Sequence, residues 1–590
     1  MIYFISKLKL LLTFLMCVLI YEKKELRRKI SIIDYFYKNI NFIKYILFIF
    51  NRDKFNPIKS VEFKKFIHFN KVKWEKQSVN NVNSTKVIAV ESFVNHPAYY
   101  LSNIVTALFL NKIFKYKIIG IIRKNDIKSE ILFRSFGVKN FIYYKNPNFF
   151  KRLFYIYYSL KILNNNNKIS KILDIKYHQV DIGLVSYDSY IRYVRNPHLK
   201  EINSEFIICF SQALFASDFS IKILKQNLNI RKLILSETQF IPLNIIFQFF
   251  LKNKIEIFSR IGLESFSLRR YTDWSQRYSY RGSASQSLFN YIFKNYKHRK
   301  FCINQFNKIY NKKINKKEFG VDEYLKGIYR FDLFSVNRQT LNKMFGWQDK
   351  KIAVFFFNVF LDGNFTFGKR KNFQDIYSWV NFMLNEIPKF KNVNWIIKNH
   401  PSQELFKSKL DFDKKINDLE KKFRHIRLFP SNINPSSLLK IADVVLTASG
   451  SAAVEYPAFG IKALFAEDAY YSNLSFMKML GSKKSIVNNL KNIHKIKKPN
   501  KDFIDKCKVY LFIRDELLKN RCTIIPPVIP SRSINEEKFW KICKKNIINF
   551  SFKKDSLYKM LLEQIKNNSR HTINYKRINL VPKELNDFND

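Results

Sequence analysis

Residues 351–357 read Lys351-Ile352-Ala353-Val354-Phe355-Phe356-Phe357, a short and almost continuous apolar run. Such a run is typical of a strand buried on both faces, as in a parallel sheet. Further strands are predicted downstream: Asn394–Lys398, His425–Phe429, Asp443–Thr447 and Lys462–Ala466. Helices are predicted between them: Phe373–Leu384, 402–422, Pro435–Ile441 and Ala452–Phe459, the last ended by Gly460. These βα repeats predict a Rossmann-type domain, in which ligands bind at the carboxyl ends of the strands.

A second set of βα signals begins at Lys86. Val87–Val90 is a β-branched strand that ends at Glu91, and Pro97 is a favoured first residue for the helix that follows. Further strands are predicted at Lys117–Ile122, Gly137–Tyr143, Phe206–Phe210, Lys232–Ser236 and Ile255–Ser259. The sequence therefore predicts an α/β protein with two Rossmann-type domains facing across a cleft. Four parts are expected: a helical N-terminal extension (1–83), the two domains (84–315 and 316–500) and a closing helical segment (501–590).

The chain is strongly basic, with 104 Lys and Arg against 47 Asp and Glu in 590 residues and a net charge of +57. Hydrophobic residues make up 47%, which excludes an intrinsically disordered polycation. Coding bias explains the charge better than nucleic-acid binding, because the lysines are spread along the chain and no nucleic-acid motif is present. The six cysteines form no C-x-x-C pair, so neither a zinc knuckle nor a disulfide framework is supported and a reducing cytoplasmic setting fits.

An uncharged run of 12 residues, Leu10–Tyr21, lies near the N-terminus between groups of lysines and arginines. It is too short to span a bilayer as a helix, and no small-residue cleavage site follows it. A second apolar stretch, Tyr45–Phe50, is shorter still. Two interpretations remain open: a helix on the inner face of the cytoplasmic membrane, and an ordinary buried helix.

Three loops carry candidate chemistry at the same predicted edge of the second domain. Asp362-Gly363 follows the first strand, His400-Pro401 follows the second, and Ser449-Gly450-Ser451 with Glu455 follows the fourth. Backbone N–H groups, hydroxyls and an imidazole suit a phosphate, and a carboxylate at Glu455 suits ribose hydroxyls. Simpler interpretations stay open: an Asp-Gly turn, a loop histidine, and a helix capped by Ser451 with Glu455.

These stretches resemble the C-terminal half of bacterial capsule polysaccharide biosynthesis proteins, which are glycosyltransferases of the GT-B type. The matching segments within 351–476 are Phe357-Asn358-Val359 with Asp362-Gly363, 392–398 running into His400-Pro401, Ala442-Asp443-Val444 with Gly450-Ser451, and 455–461. Tyr470-Tyr471-Ser472 closes the block. Upstream, Asp181-Ile182-Gly183 with 187–192, and Glu91 with Asn95-His96-Pro97, resemble further signatures of the family.

The resemblance implies an inverting transfer of a sugar from a nucleotide-sugar donor, with no essential metal and no cofactor. The Asp-Gly, His-Pro and Ser constellation is similar to that of sialyl- and Kdo-transferases, which favours a CMP-sugar. In this interpretation Asp362 or another carboxylate is the base. His400 and Ser449 or Ser451 hold the donor phosphate, and Glu455 holds the ribose. Gly363, Pro401 and Gly450 are further donor-binding candidates.

A base must lie near the acceptor hydroxyl, and in a GT-B cleft the acceptor usually meets the N-terminal domain. Glu91, His96 and Asp188 are therefore further catalytic candidates, and Tyr187 and Arg192 are candidates for binding the acceptor. For Asp188 a turn residue, and for Arg192 a solvated charge, are equally open.

The expected function is a glycosyltransferase that extends a capsular or other surface polysaccharide, with a polysaccharide or lipid-linked glycan as acceptor. We expect it in the cytoplasm, in one interpretation at the inner membrane surface. A nucleotide-sugar 2-epimerase of the same architecture and a non-catalytic capsule assembly or export factor are the alternatives. Nucleic-acid binding rests on charge alone and is not expected.

Overall fold

The computed structural model describes residues 60–75, 84–166, 168–226, 228–261, 267–279, 283–319, 333–366, 370–404, 407–526 and 535–579. Both N-terminal apolar stretches, Leu10–Tyr21 and Tyr45–Phe50, lie outside these ranges. The chain divides into two compact units. The first comprises Met1–Tyr190, Leu199–Ile257 and Asn535–Asn549, and the second comprises Ile191–His198, Phe258–Ile534 and Phe550–Asp590.

Strands β1 to β11 form two sheets. Their bounds are Val87–Glu91 (β1), Lys117–Arg123 (β2), Asn140–Tyr144 (β3), Ile230–Leu235 (β4), Glu256–Ile261 (β5), Ser267–Tyr271 (β6), Ile352–Phe356 (β7), Asn394–Lys398 (β8), Ile426–Leu428 (β9), Val444–Thr447 (β10) and Lys462–Phe465 (β11). The first sheet has the order β3-β2-β1-β4-β5-β6 and the second β11-β10-β7-β8-β9. All four pairings in the second sheet are parallel, as are β1–β2, β1–β4 and β2–β3 in the first.

Both sheets share one topology. In each, the chain starts at a central strand (β1 or β7), adds two strands on one side, and returns to add the next two (β4 and β5, or β10 and β11) on the other. The direction of winding therefore reverses between β1 and β4 and again between β7 and β10. Such a reversal opens a crevice at the carboxyl ends of the two strands, where ligands of doubly wound sheets bind. The predicted α/β class with two Rossmann-type domains is confirmed.

Helices accompany the strands. The α-helices are Val61–Glu75, Pro97–Phe114, Ile127–Ser135, Phe149–Asn164, Ile169–Leu173, Ile182–Val194, Ser204–Lys225, Leu243–Lys252, Gln286–Lys294, Tyr296–Asn315, Arg338–Phe345, Ile376–Glu386, Asp413–Lys422, Leu438–Ile441, Ala452–Glu455, Lys483–Lys491, Lys501–Phe512, Glu536–Ile548 and Ser556–Lys566. A π-helical turn, Ile513–Leu517, continues the helix Lys501–Phe512. Short 3-10 turns include Pro401–Glu404 and Pro457–Phe459.

The predicted strand Phe206–Phe210 is wrong, because these residues lie within the helix Ser204–Lys225. Helical periodicity is hidden in this segment, since nearly every residue from Phe206 to Ser211 is buried. Among the described helices, Ser204–Lys225 alone is long and apolar enough to cross a membrane, and 61% of its apolar window is buried inside the protein. Ring contacts from Phe215 to Tyr144 and Tyr155 place it as a core helix of the first unit.

The helix Glu536–Ile548 returns to the first unit from far along the chain and packs against the helix Val61–Glu75. The fully buried ring of Trp540 lies 4.7 Å from that of Phe63, centroid to centroid. The carboxylate of Glu537 accepts hydrogen bonds from the backbone N–H groups of Val61 and Glu62, both at 2.9 Å. Because the first N–H groups of a helix have no partner within it, Glu537 serves as the N-terminal cap of its neighbour.

Two predicted helices of the second unit are shorter than expected. Among the described residues of the span 402–422, those within Pro401–Glu404 and Asp413–Lys422 are helical. Ala452–Phe459 is a four-residue α-helix, Ala452–Glu455, followed by a 3-10 turn at Pro457. Gly460 ends this turn with φ of 83°, a left-handed conformation that favours glycine, as expected for a helix stop.

Candidate functional site at the reversal point of the second sheet

Asn358 joins the ends of β7 and β10, where the winding of the second sheet reverses. Its Oδ1 accepts hydrogen bonds from the Thr447 hydroxyl at 3.0 Å and from the Ala448 N–H at 3.3 Å. The Thr447 hydroxyl oxygen in turn accepts from the N–H of Gly450 at 3.1 Å. A Cβ at Gly450 would lie 2.7 Å from that oxygen, so the close approach requires glycine.

A cavity of about 140 Å³ opens at this point. Its lining combines strand-end loops and one helix start: Asn358, Val359, Asp362, Gly363, Arg370, Ile376, His400, Ser449, Asp468, Ala469 and Tyr470. Four residues predicted from the sequence, Asp362, Gly363, His400 and Ser449, are thereby brought together although they span almost 90 positions of the chain.

His400 presents a neutral imidazole to the cavity. Its Nδ1 accepts a hydrogen bond from the N–H of Ser402 at 3.1 Å, so the ring proton of the neutral form is on Nε2. Burial, with the charge of Lys398 adding to it, lowers the pKa of His400 to about 4. At neutral pH the side chain therefore offers one Nε2–H donor and no net charge.

Arg370 supplies the positive charge of the cavity. Its Nη1 donates to the Ser449 hydroxyl oxygen at 3.3 Å, which leaves the Ser449 hydroxyl hydrogen for another acceptor. A guanidinium beside a hydroxyl and an imidazole N–H is a donor set that matches phosphate oxygens.

The loop that carries Arg370 is held by a buried carboxylate. Glu467, which follows β11, is fully buried and accepts from the N–H groups of Lys371 (2.7 Å), Asn372 (3.0 Å) and Phe373 (3.0 Å). Burial raises the pKa of Glu467, while Arg370 and these N–H groups act against the rise. Glu467 thus fixes the backbone next to Arg370 without itself lining the cavity.

Asp362 lies in an exposed turn at the cavity edge. Its Oδ1 accepts from the N–H of Gly363 at 3.0 Å. The neighbouring Asn364 is fully buried, and its Oδ1 accepts from the N–H of Ile376 at 3.0 Å, which ties this loop to the start of the helix Ile376–Glu386. Asp362 and Gly363 therefore form a turn and also line the cavity, so the two interpretations of this pair do not exclude each other.

The remaining donor-site candidates, Pro401, Gly450, Ser451 and Glu455, do not line the cavity. Gly450 acts through backbone packing, and Pro401 begins a 3-10 turn. The side chain of Ser451 makes no capping hydrogen bond, contrary to the capped-helix alternative. A four-residue helix also supplies less dipole than the eight-residue helix expected at this point.

Glu455 instead belongs to a polar network behind Tyr470. Its Oε1 lies 3.4 Å from Nη2 of Arg514. The Nη1 of Arg514 donates a hydrogen bond to the Tyr470 hydroxyl. Arg514 pairs with Asp515, whose Oδ2 accepts from the Tyr310 hydroxyl at 2.7 Å. Arg514 lies in the π-helical turn, a distortion that often marks functional sites. Through the hydrogen bond from Arg514, this network holds the side chain of the cavity residue Tyr470 in place.

In the first unit, Glu91 occupies the corresponding reversal point. Its carboxylate is fully buried and accepts from the N–H groups of Phe93 and Ser236, both at 2.5 Å, and from the Asn103 amide at 3.1 Å. Burial raises the pKa of Glu91, and these hydrogen bonds act against the rise. The Glu91 carboxylate therefore links the end of β1 to the end of β4 through hydrogen bonds. Its role as a catalytic base remains a prediction.

The other first-domain candidates are scattered. The Nδ1 of His96 accepts from the N–H of Ala98 at 3.3 Å and caps the helix Pro97–Phe114. Asp188 and Tyr187 are fully buried within the helix Ile182–Val194, so the alternative of a turn at Asp188 is wrong. Arg192 belongs to the second unit and is partly exposed. Their catalytic and acceptor-binding roles stay predictions.

A second, larger depression of about 390 Å³ is lined by residues around the start of the helix Ile376–Glu386 and by His198. The Nδ1 of His198 is 2.7 Å from Oδ2 of Asp375, and the His198 ring stacks on Tyr377. The carboxylate of Asp375 is fully buried, and its Oδ1 accepts from the N–H of Ser378 at 2.7 Å as the helix cap. Amides, aromatic rings, a hydroxyl and one lysine complete the wall: Phe373, Gln374, Ser378, Asn381, Phe382, Asn385 and Lys483.

Arg370 and Asp468 line the cavity but were not predicted from the sequence. Asp468 lies three residues after the end of β11, so the rule that selected the loops after β7, β8 and β10 would have found it. Arg370 carries no such signal, because it is placed by the contacts of Glu467 with the adjacent backbone.

No protein-family model and no curated protein sequence matches the chain. Among solved structures, the chain is similar to the beta Kdo 2,4 transferase KpsC of Thermosulfurimonas dismutans, with 9% identity, 48% of this chain and 79% of that chain covered, and a TM-score of 0.27. It is similar to Anabaena Alr3699/HepE in complex with UDP, with 7% identity, coverage of 73% and 94%, and a TM-score of 0.24.

The UDP-GlcNAc 2-epimerase of Neisseria meningitidis bound to UDP-GlcNAc is also similar, with 12% identity, coverage of 78% and 98%, and a TM-score of 0.21. At such low TM-scores and identities these similarities carry no argument about the activity of this chain. Its function must be argued from the residues of the cavity.

Proposed function

We propose that this protein is a glycosyltransferase of the GT-B type, which transfers a sugar from a nucleotide-sugar donor to a capsular or other surface polysaccharide. One observation carries the proposal: Asp362, Gly363, Arg370, His400 and Ser449 line a single cavity at the reversal point of a parallel sheet. Arg370, Ser449 and neutral His400 supply donors for the phosphates of the nucleotide.

Asp362 is the proposed base, because its carboxylate is exposed at the edge of the same cavity. The reaction is proposed to be inverting and independent of metal, with Arg370 and His400 stabilising the charge on the departing phosphate. A CMP-sugar is the favoured donor, on the resemblance of the Asp-Gly, His-Pro and Ser stretches to sialyl- and Kdo-transferases. The proposed location is the cytoplasm.

Nucleotide binding is the direct test. The unfolding temperature of the purified chain is measured with CMP, UDP, GDP and ADP, for the wild type and for His400→Ala and Arg370→Ala. Stabilisation by one nucleotide that is weakened in both variants supports the proposal, and CMP alone would indicate a CMP-sugar. If no nucleotide stabilises the wild type, the transferase proposal fails and the non-catalytic assembly factor takes its place.

A nucleotide-sugar 2-epimerase is the second candidate, favoured by one observation. Asp468 adds a second carboxylate to the cavity of Asp362, and an epimerase needs carboxylates or histidines to remove and return a proton at C2. Because epimerisation breaks the C2–H bond and transfer does not, the two activities are separable in deuterated water. Deuterium at C2 of recovered UDP-GlcNAc would identify the epimerase, and nucleotide release without deuterium uptake would identify a transferase.

A further inference from the structure

An aromatic face on the helix Phe149–Asn164 of the first unit is exposed to solvent. Phe150, Phe154 and Tyr157 are 78%, 57% and 57% exposed. Their spacing of four and three residues aligns them along one side of the helix. These three residues are called the aromatic face below.

The opposite side of this helix fixes its orientation. Ile156, Leu160 and Leu163 are buried, and the Tyr155 hydroxyl donates to Asp218 of the helix Ser204–Lys225 at 2.7 Å. Asn148 caps the start of the helix, accepting from the N–H of Lys151 at 3.0 Å. The aromatic face therefore belongs to a packed element, and its exposure does not arise from a frayed end.

Single exposed apolar residues are normal on protein surfaces, whereas a contiguous patch marks an interaction site. Elsewhere in the described residues, the exposed aromatic side chains are Tyr296, Phe301 and Phe334. Tyr296 and Phe301 lie five positions apart and so do not share one side of their helix, and Phe334 lies outside any helix. Phe149, 44% exposed, extends the aromatic face by one more ring.

The surroundings of the aromatic face are basic. Segment 145–176 contains seven basic residues against one acidic residue, Asp174. Six of the seven are exposed: Lys145, Lys151, Lys161, Lys168, Lys171 and Lys176. Aromatic rings at headgroup depth with lysines beside them are the composition of a helix that lies in an anionic membrane interface.

We propose that the aromatic face inserts into the headgroup region of an anionic lipid bilayer, with the neighbouring lysines on the lipid phosphates. A lipid surface fits better than a protein partner, because the exposed side of the helix presents rings and lysines. Asp174 is the one acidic residue of segment 145–176, and the nearby Asp218 already accepts hydrogen bonds from the hydroxyls of Tyr155 and Tyr177. The proposal does not depend on the nucleotide cavity, which belongs to the second unit, nor on residues 1–50.

Vesicle flotation of the full chain tests the lipid requirement. The variant Phe150→Ser/Phe154→Ser/Tyr157→Ser is compared with the wild type and with Tyr296→Ser/Phe301→Ser as the matched control. On vesicles of phosphatidylcholine with phosphatidylglycerol, we expect about a tenfold lower partition coefficient for the triple variant and no change for the control. Vesicles of phosphatidylcholine alone should bind the wild type weakly. Equal binding by the triple variant and the wild type overturns the proposal.

The fluorescence of a tryptophan placed at the aromatic face reports membrane contact of this helix, independently of other parts of the chain. In Phe154→Trp, added vesicles should shift the extra emission to the blue, and lipids brominated on their acyl chains should quench it. In Tyr296→Trp they should do neither. Quenching equal to that control overturns the proposal.

Two other occupants of the face give distinct outcomes. Emission from Phe154→Trp that is already blue-shifted without vesicles shows that another part of this chain covers the face, which overturns the proposal. A wild-type dimer that the triple variant converts to a monomer in sedimentation velocity shows a second copy there, with the same consequence.

Discussion

Five strands have the same order in both sheets of this protein, and the first sheet adds β6, yet the two reversal points are built differently. Between β1 and β4, the buried carboxylate of Glu91 accepts a hydrogen bond from the backbone N–H of Ser236, just beyond the end of β4. Between β7 and β10, the neutral side chain of Asn358 makes the corresponding bridge, and a cavity remains beside it. A common topology therefore provides two reversal points, and they differ in the side chain that links the strand ends: a buried carboxylate in one and a neutral amide in the other.

The same contrast holds for the two Asn-His-Pro turns. The Nδ1 atoms of His96 and His400 both accept from the N–H two residues further on, so both rings are held in the same way. The turn after β1 starts an 18-residue helix, whereas the turn after β8 starts a four-residue 3-10 turn. The second histidine, His400, lines a cavity together with Arg370 and Ser449. These neighbouring side chains, and not the turn itself, make His400 a candidate for binding phosphate.

The largest expected effect concerns the carboxylates. Asp362→Asn should slow the release of nucleotide from the nucleotide-sugar by about 10²–10⁴-fold, because it removes the proposed base. Nucleotide affinity should change less than about threefold, since the amide keeps the shape of the side chain. The comparison is Asp188→Asn, which alters a buried carboxylate of the first unit and should reduce stability more than rate. A full rate in Asp362→Asn would assign the base to another residue.

The next effect concerns the two buried glutamates. Glu467→Ala leaves three backbone N–H groups without their acceptor and should lower the free energy of unfolding by about 3 kcal/mol, measured by urea denaturation. Glu91→Ala should cost about as much, for the same reason. The two variants should differ in nucleotide affinity. Of the two, only Glu467→Ala should weaken nucleotide binding, because Glu467 holds the loop that carries Arg370. Equal nucleotide affinity in both variants would contradict the positioning role of Glu467.

A smaller effect is expected at the histidines. His400→Ala should weaken nucleotide binding about tenfold, because one hydrogen bond to a charged phosphate is lost. His400→Gln should recover part of this affinity, since its amide can donate. His96→Ala should leave the affinity within about twofold of the wild type. Isothermal titration calorimetry measures all three, and equal losses at both histidines would remove the distinction between the turns.

The remaining effect is a pH dependence of stability. The pKa of His400 in the folded chain is about 4, below the ordinary value, so the unfolded chain takes up the proton first as the pH falls. The neutral ring thus contributes its full stability above about pH 6.5, and this contribution is lost between about pH 6.5 and pH 4. Relative to His400→Gln, the wild type should become less stable across that window, measured by urea denaturation. Parallel curves would show that His400 takes up its proton normally in the folded chain.

The strands of both sheets were largely predictable, because buried parallel strands such as Val87–Glu91 and Ile352–Phe356 are continuous apolar runs. The same property caused the error at Phe206–Phe210, since a helix buried on most sides has no polar side to reveal its period. The strand Ser267–Tyr271, with two arginines among five residues, gave no apolar signal and was missed.

The candidate site was predictable where it depends on topology alone. Asp362, His400 and Ser449 each follow a strand, and parallel strands end at one edge. Arg370 was not predictable, because three hydrogen bonds to a glutamate almost 100 residues away hold the loop beside it. Residues placed by side-chain contacts between distant segments leave no local pattern in the sequence.

The helix Glu536–Ile548 has a consequence for how the protein is made. The ribosome completes Val61–Glu75 early, but the helix that covers its buried Phe63 and Phe66 emerges more than 450 residues later. Until then the nascent first unit exposes these rings to water and to other chains, which is a setting for chaperone binding. For the same reason, an expression fragment that stops after the second sheet would lack Trp540 and leave the first unit with an open core.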